Sequence, residues 1–191
     1  MKAANPLALQ EGAPMFTPET LAPYALPGLS LTVLTPAHKE RMMALQSRVL
    51  SGLPNASWYY PSEEWEFDAW LSGGEAVGYL EGETLCGYAV ITPAKGREGH
   101  SYARVLGQDA ENTFDFHDVM VAPEYRRRGM HGRFLALFSH VARSLGGRAI
   151  YATVDPENGA SWRNFEREGY RCVCTQPAYD GRLRRYYRKE L

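Results

Sequence analysis

The chain has 191 residues and a mass of 21.4 kDa, which suits one domain, or one domain with an appendage. Hydrophobic residues at 45% and charged residues at 23% are ordinary for a globular protein that buries a full core. No apolar run approaches the roughly 20 residues that span a bilayer, and the opening Met1-Lys2-Ala3-Ala4-Asn5-Pro6 leads into prolines and acids, which points away from secretion and towards the cytoplasm. The Asn55-Ala56-Ser57 sequon then carries no meaning, because glycosylation requires a secretory route. Three cysteines, Cys86, Cys172 and Cys174, make no disulfide framework, and Cys172 and Cys174 lack the second pair of ligands a zinc site needs, so no metal is expected. The net charge of −1 divides along the chain: residues 126–191 carry 14 Lys+Arg against 6 Asp+Glu, and residues 1–125 carry 7 against 16. A basic half suits nucleic acid or a small polyanion such as a phosphorylated cofactor, and composition does not choose between them.

Half of the twelve prolines fall in the first 36 residues. Residues 1–28 are read as a Pro-rich extension, irregular and packed onto the body in places at most; the domain proper is residues 29–191. Leu29–Leu34 is a short apolar strand, and Thr35-Pro36 starts a helix with a capping hydroxyl and a proline at the first position. A second helix opens at Pro61-Ser62-Glu63-Glu64 and stops at Gly73-Gly74. Ala76–Leu80 and Thr84–Pro93 form a hairpin around Glu81-Gly82-Glu83. Residues 94–112 are polar and read as a loop, and Thr113–Val121 is the next strand. Phe134, Leu135, Phe138, Val141, Ala142 and Leu145 recur at helical spacing before Gly146-Gly147. Ala149–Val154 is a strand, Ala160–Glu168 a short helix, and Tyr170–Thr175 with Leu183–Arg188 a closing pair of strands. The order describes a mixed α/β domain.

The most informative stretch is Val121-Ala122-Pro123-Glu124-Tyr125-Arg126-Arg127-Arg128-Gly129-Met130-His131-Gly132, between a strand and an amphipathic helix. A helix N-terminus carries unsatisfied N–H groups and partial positive charge, so a glycine-bearing turn in front of it makes an anion site. Neither G-x-x-x-x-G-K-[ST] nor G-x-G-x-x-G is present, which disfavours a nucleotide triphosphatase and a dinucleotide fold. In its context the segment resembles the GNAT superfamily of N-acetyltransferases, whose signature V-x-P-x-x-[RQ]-x-x-G-x-[GA] is met by Val121, Pro123, Arg126 and Gly129. A second block is similar to the family's as well: Asp155-Pro156-Glu157-Asn158, Ser161, Asn164-Phe165-Glu166 and Gly169-Tyr170. The resemblance covers nearly all of residues 29–191.

The resemblance implies a single GNAT-like α/β domain, with a mixed, mostly antiparallel central sheet of about six to seven strands flanked by about four helices. It implies acetyl-CoA, or another acyl-CoA, as co-substrate, and an amine-bearing acceptor. N–H groups of Arg127, Arg128, Gly129, Met130, His131 and Gly132 would hold the pyrophosphate, and Arg126 or its neighbours the outer phosphates. Backbone from Val119, Met120 and Val121 would pair with the pantetheine arm, the Val119 N–H would polarise the thioester carbonyl, and Asn158 and Ser161 would line the other side. This sequence departs from the family twice. His131 stands where Gly or Ala is usual, and Phe165 stands where many relatives place a tyrosine that protonates the departing thiolate.

An amine must lose a proton as it attacks. Period-two alternation in Phe114-Asp115-Phe116-His117-Asp118 puts Asp115 and His117 on one face, with Asp118 opposite, beside Phe114 and Phe116. By likeness to relatives with a catalytic acid on this strand, His117 and Asp115 are the candidate bases. Tyr179-Asp180-Gly181-Arg182-Leu183-Arg184 is similar to a Y-x-G-x-x-R run that closes some small GNAT branches; Tyr179 could replace the missing acid and Arg184 could meet an acidic group on the acceptor. The four tryptophans are assigned no role. A CoA-binding module without catalysis is the main rival, favoured by Phe165 and His131. Nucleic-acid binding through Arg126-Arg127-Arg128 and the arginines of residues 182–188 ranks below it, because the whole chain is slightly acidic. No membrane contact is expected, and a two-fold homodimer is the default assembly.

Overall fold

A computed structural model describes residues 14–95, 101–178 and 181–191. Two four-residue helices occupy stretches that sequence patterning reads as irregular: α1 (Pro18–Leu21) and α4 (Tyr102–Val105). The longer helices are α2 (Lys39–Ser51), α3 (Glu64–Ser72), α5 (Met130–Ser144) and α6 (Gly159–Arg167). Each buries the apolar stripe its spacing defines: Met42, Leu45 and Val49 from α2; Phe67, Trp70 and Leu71 from α3; Phe134, Leu135, Phe138, Val141 and Ala142 from α5. Start signals are met as well. The chain turns through a 3-10 segment at Pro36–His38 before α2. Glu63 and Glu66 form a reciprocal capping box at the start of α3, which satisfies two otherwise orphaned donors.

Seven strands, β1 (Ser30–Val33), β2 (Ala76–Glu81), β3 (Thr84–Pro93), β4 (Thr113–Val121), β5 (Ala149–Val154), β6 (Arg171–Ala178) and β7 (Arg182–Glu190), form one sheet in the order β1-β2-β3-β4-β5-β7-β6. All neighbours run antiparallel except β4 and β5. Parallel neighbours need a crossover, and α5 supplies it. The sheet is thus the mixed, mostly antiparallel one expected, while the described residues hold six α-helices against the four expected, the excess being α1 and α4.

The described part of the N-terminal extension is seated on the body. Phe16 is 3% exposed and packs its ring 5.8 Å from Phe138 of α5, and Leu21 is buried. The Tyr79 hydroxyl donates to the Tyr24 carbonyl at 2.5 Å, and the Tyr24 hydroxyl lies 3.2 Å from His140 Nδ1.

Candidate active site

Strands β4 and β5 pair only from Thr113↔Ala149 to Phe116↔Ala152. Beyond Phe116 the sheet splays, and residues 118–121 keep a strand partner on the β3 side alone. The Ala122 N–H donates to the Cys86 carbonyl on that side. Alternation along the strand then turns the Val121 and Val119 N–H groups the other way, towards the gap, where the Val119 N–H also faces the Asp118 carboxyl. The gap is part of a cavity of about 1490 Å³, lined by Val119, Met120 and Val121 on one wall and Thr153 and Val154 on the other. That volume exceeds the few hundred to about 1,000 Å³ of a typical small-ligand pocket.

At one end of the cavity lies the turn before α5. Arg127 (φ 64°) and Gly129 (φ 80°) are left-handed, and Gly129 caps the helix with no side-chain hydrogen bond. The first donor of the helix that is taken up is the Arg133 N–H, on the Gly129 carbonyl at 3.1 Å. Among the described residues, none of the N–H groups from Arg127 to Gly132 makes a well-aligned hydrogen bond to a backbone carbonyl. These six donors lead into and open the positive end of a fifteen-residue helix, a setting that suits an anion. Arg126 and Arg127 line the cavity beside them, as do Gly129, Met130, His131 and Gly132. Arg128 does not; its guanidinium lies over the Tyr125 ring at 4.8 Å. Asn158 and Ser161 stand on the facing wall, where Asn158 Oδ1 caps α6 by accepting the Ser161 N–H at 3.1 Å.

On β4 the two candidate bases part company. His117 reaches the cavity, with Nε2 2.8 Å from Thr92 Oγ1 and its ring between Trp70 and Tyr102, at centroid distances of 5.9 and 5.6 Å. Asp115 is 1% exposed, accepts the Tyr102 N–H at the start of α4 and is not part of the cavity wall. The expected facing of Asp118 is corrected. Val90 pairs with Asp118 and Ile91 with Phe116, so His117 is the extra residue of a β-bulge. The bulge resets the alternation and brings Asp118 to the side of Asp115 and His117, where its Oδ2 accepts the Tyr88 hydroxyl at 2.8 Å. Burial raises the Asp118 carboxyl to about 6, against the opposing pull of the Tyr59 and Tyr88 hydroxyls and the Val119 N–H.

The sequence profile of the Acetyltransferase (GNAT) family matches residues 40–170. The chain belongs to this family. Similar solved structures share its fold: yncA from Salmonella typhimurium, solved with its cofactor acetyl-CoA (TM-score 0.63, 18% identity, covering 86% of this chain and 94% of that one); an N-acetyltransferase from Staphylococcus aureus Mu50 (0.64, 16%, 85% and 98%); and the ribosomal-protein-S18-alanine N-acetyltransferase of Escherichia coli (0.60, 15%, 85% and 93%). A curated relative, the uncharacterized protein ML0378 of Mycobacterium leprae, is 28% identical over 146 residues. The match takes in 76% of this chain but 35% of the relative, so the chain spans about a third of that protein's length.

Both departures from the family pattern have a structural account in this GNAT domain. His131 turns inward between α5 and α6, stacked on Phe116 (6.2 Å) and edge-on to Phe165 (5.3 Å). Its Nδ1 faces the Asn164 amide donor at 3.3 Å, which leaves the proton on Nε2, and desolvation lowers its pKa to about 4. The helix start therefore keeps its donors while the imidazole fills the space behind them. Phe165 is 2% exposed within an aromatic cluster with Phe116, Tyr170 and Tyr187, and offers no proton. Tyr179, the proposed substitute acid, lies outside the described residues. Arg184 lines the cavity and is already engaged there: it is 3% exposed, donates to Asp155 at 2.7 Å and to the Ser57 carbonyl at 2.9 Å, and ties β7 to Ser57.

Sequence patterning missed Tyr59, Glu66, Trp70, Tyr102 and Tyr186, all of which line the cavity. They come from four separate segments, Glu66 and Trp70 sharing α3, and only the tertiary fold gathers them. Among the described residues no group of His, Cys, Asp or Glu side chains is arranged to hold a metal ion, and no helix is long and apolar enough to cross a membrane.

Proposed function

We propose that this GNAT domain transfers an acetyl group from acetyl-CoA to a primary amine. The observation that carries the reading is the continuity of one cavity from the N–H cradle of residues 127–132, past the splayed edge of β4, to His117. The cradle with Arg126 and Arg127 suits a pyrophosphate and its neighbouring phosphates. The open edge at Val119 and Val121 suits an extended arm that carries amides, and the Val119 N–H would stabilise negative charge on the thioester oxygen. His117, fixed by Thr92, Trp70 and Tyr102, takes the proton as the amine nitrogen bonds to the carbonyl carbon and the carbon–sulfur bond breaks. With Phe165 at the usual acid position the sulfur leaves as a thiolate, at small cost because a thiol pKa is about 8.5.

Titration calorimetry with acetyl-CoA tests the cofactor half: saturable binding is expected, and none at millimolar concentration ends the reading. For the base, kcat/KM rises with pH through the imidazole range, and His117→Ala flattens that limb and lowers the rate by about 10²–10⁴ while acetyl-CoA affinity stays within a few-fold. An unchanged pH profile at normal rate removes His117. Phe165, held in its aromatic cluster, favours a second reading in which the domain binds CoA without catalysis; thiol release at the blank rate with every amine offered would establish it.

A further inference from the structure

The cavity changes character along its length. The phosphate end carries Arg126, Arg127 and the N–H groups of residues 127–132. The opposite end, beyond His117, is walled by Tyr59, Tyr60, Trp65, Trp70, Tyr102 and Tyr186. Tyr60 is 42% exposed, Trp65 54% and Val105 52%, and all three lie on this wall. Large apolar side chains gathered in the open at one rim mark a surface that a ligand covers. Charge at this end is also out of balance. Two carboxylates line the cavity among its described residues, Asp155 and Glu66. Asp155 is neutralised by Arg184 at 2.7 Å. Glu66 has no cationic partner among the described residues; its Oε2 accepts the Glu63 N–H at 2.8 Å. Arg182 is engaged with the Tyr59 carbonyl at 3.2 Å and lies over Tyr60 at 5.8 Å.

On the acetyl-transfer reading above, we propose that the acceptor is a primary amine carried on an apolar, ring-sized body, with the body against the Tyr60–Trp65 rim and the ammonium directed to Glu66 and His117. Aromatic faces attract a cation and bury an apolar body at once. Among the described lining residues Glu66 is the one uncompensated carboxylate and balances one ammonium group, whereas a polyamine or an aminoglycoside would bring several charges towards Arg182, Arg126 and Arg127. In the reaction the ammonium gives one proton to His117, nitrogen bonds to the acetyl carbon as the carbon–sulfur bond breaks, the second nitrogen proton passes to solvent, and the amide and the CoA thiolate leave.

The test compares thiol release at saturating acetyl-CoA with 2-phenylethylamine, ethanolamine, spermidine and a short unblocked peptide. Expected is a kcat/KM for 2-phenylethylamine about tenfold or more above the other three, the scale on which apolar pockets discriminate. Glu66→Gln keeps the acceptor for Glu63 and should raise KM for 2-phenylethylamine about tenfold, with kcat within a few-fold and acetyl-CoA affinity unchanged. Trp65→Ala should narrow the preference. Spermidine, ethanolamine or the peptide turned over as well or better overturns the proposal and leaves acetyl transfer standing, whereas failure of acetyl-CoA to bind overturns both. If acetyl-CoA binds and no amine reacts, tryptophan fluorescence with CoA present decides: saturable quenching by 2-phenylethylamine that is lost in Trp65→Ala upholds the amine site, and its absence overturns it.

Discussion

At the scale of single residues, Asp118 shows what one inserted position does. The bulge at His117 carries its carboxyl into the buried space under Tyr59 and Tyr88, where it is 1% exposed. Burial lifts its pKa from 3.8 to about 6, and a raised carboxyl has a definite consequence for stability. Below about pH 3 the group is neutral in the folded and unfolded chain, and its burial costs little. Between about pH 4 and 7 the unfolded chain ionises it freely while the native state resists, so its contribution is lost as pH rises through the folded value. An Asn at 118 keeps the oxygen for Tyr88 and does not titrate. Urea denaturation should therefore show Asp118→Asn gaining on the parent by about 2.5 kcal/mol between pH 4 and pH 8; parallel stability curves would refute this. His131, lowered to about 4, has the opposite slope, with stability present above the ordinary imidazole value and lost on acidification. Both proteins share that slope, so it cancels in the difference.

At the scale of elements, the turn into α5 is a local device and was legible as one. Val121, Pro123, Arg126 and Gly129 stand at the spacing that ends a strand, turns the chain and opens a helix, and all the atoms that make the cradle belong to residues 126–132. Gly129 tests it cleanly. A Cβ there meets nothing within 4 Å, so Gly129→Ala is opposed only by the φ of 80°. That backbone strain is worth about 1 kcal/mol, which in a chain of this size lowers Tm by roughly 2–4 °C. Scanning calorimetry measures it, and an unchanged Tm would mean that the turn relaxes without loss. The stretch from 94 to 112 was not legible in the same way. Its polar surface hides a seven-residue collaboration in which Tyr102 and Ala103 pack with Ala94, Ala110, Ala149, Tyr151 and Tyr186, and the start of α4 is held by Asp115. A four-residue helix anchored by a distant carboxylate leaves no periodic trace.

At the scale of the whole molecule, residues 16–24 behave as part of the core. Phe16, at 3% exposure against Phe138, sits at the centre of that contact. Phe16→Ala should cost about 3–5 kcal/mol in a denaturant titration, and a cost below about 1 kcal/mol would mark this segment as a loose appendage.

What the sequence determined by itself is what depends on neighbours in the chain. Strands Thr113–Val121 and Ala149–Val154 follow from apolar runs between turn residues, α5 from its 3.6-residue stripe, and the family from two motifs at the right separation. Tertiary structure alone decided the rest. The bulge depends on how β3 and β4 register across 25 residues, from Thr92 to His117, so alternation read along β4 misplaced Asp118. Arg184 reads as an exposed cation until the fold brings Asp155 and the Ser57 carbonyl to it. The aromatic wall with Glu66 is drawn from segments scattered from residue 59 to 186, and no spacing rule can announce side chains that meet only when the sheet and its helices close.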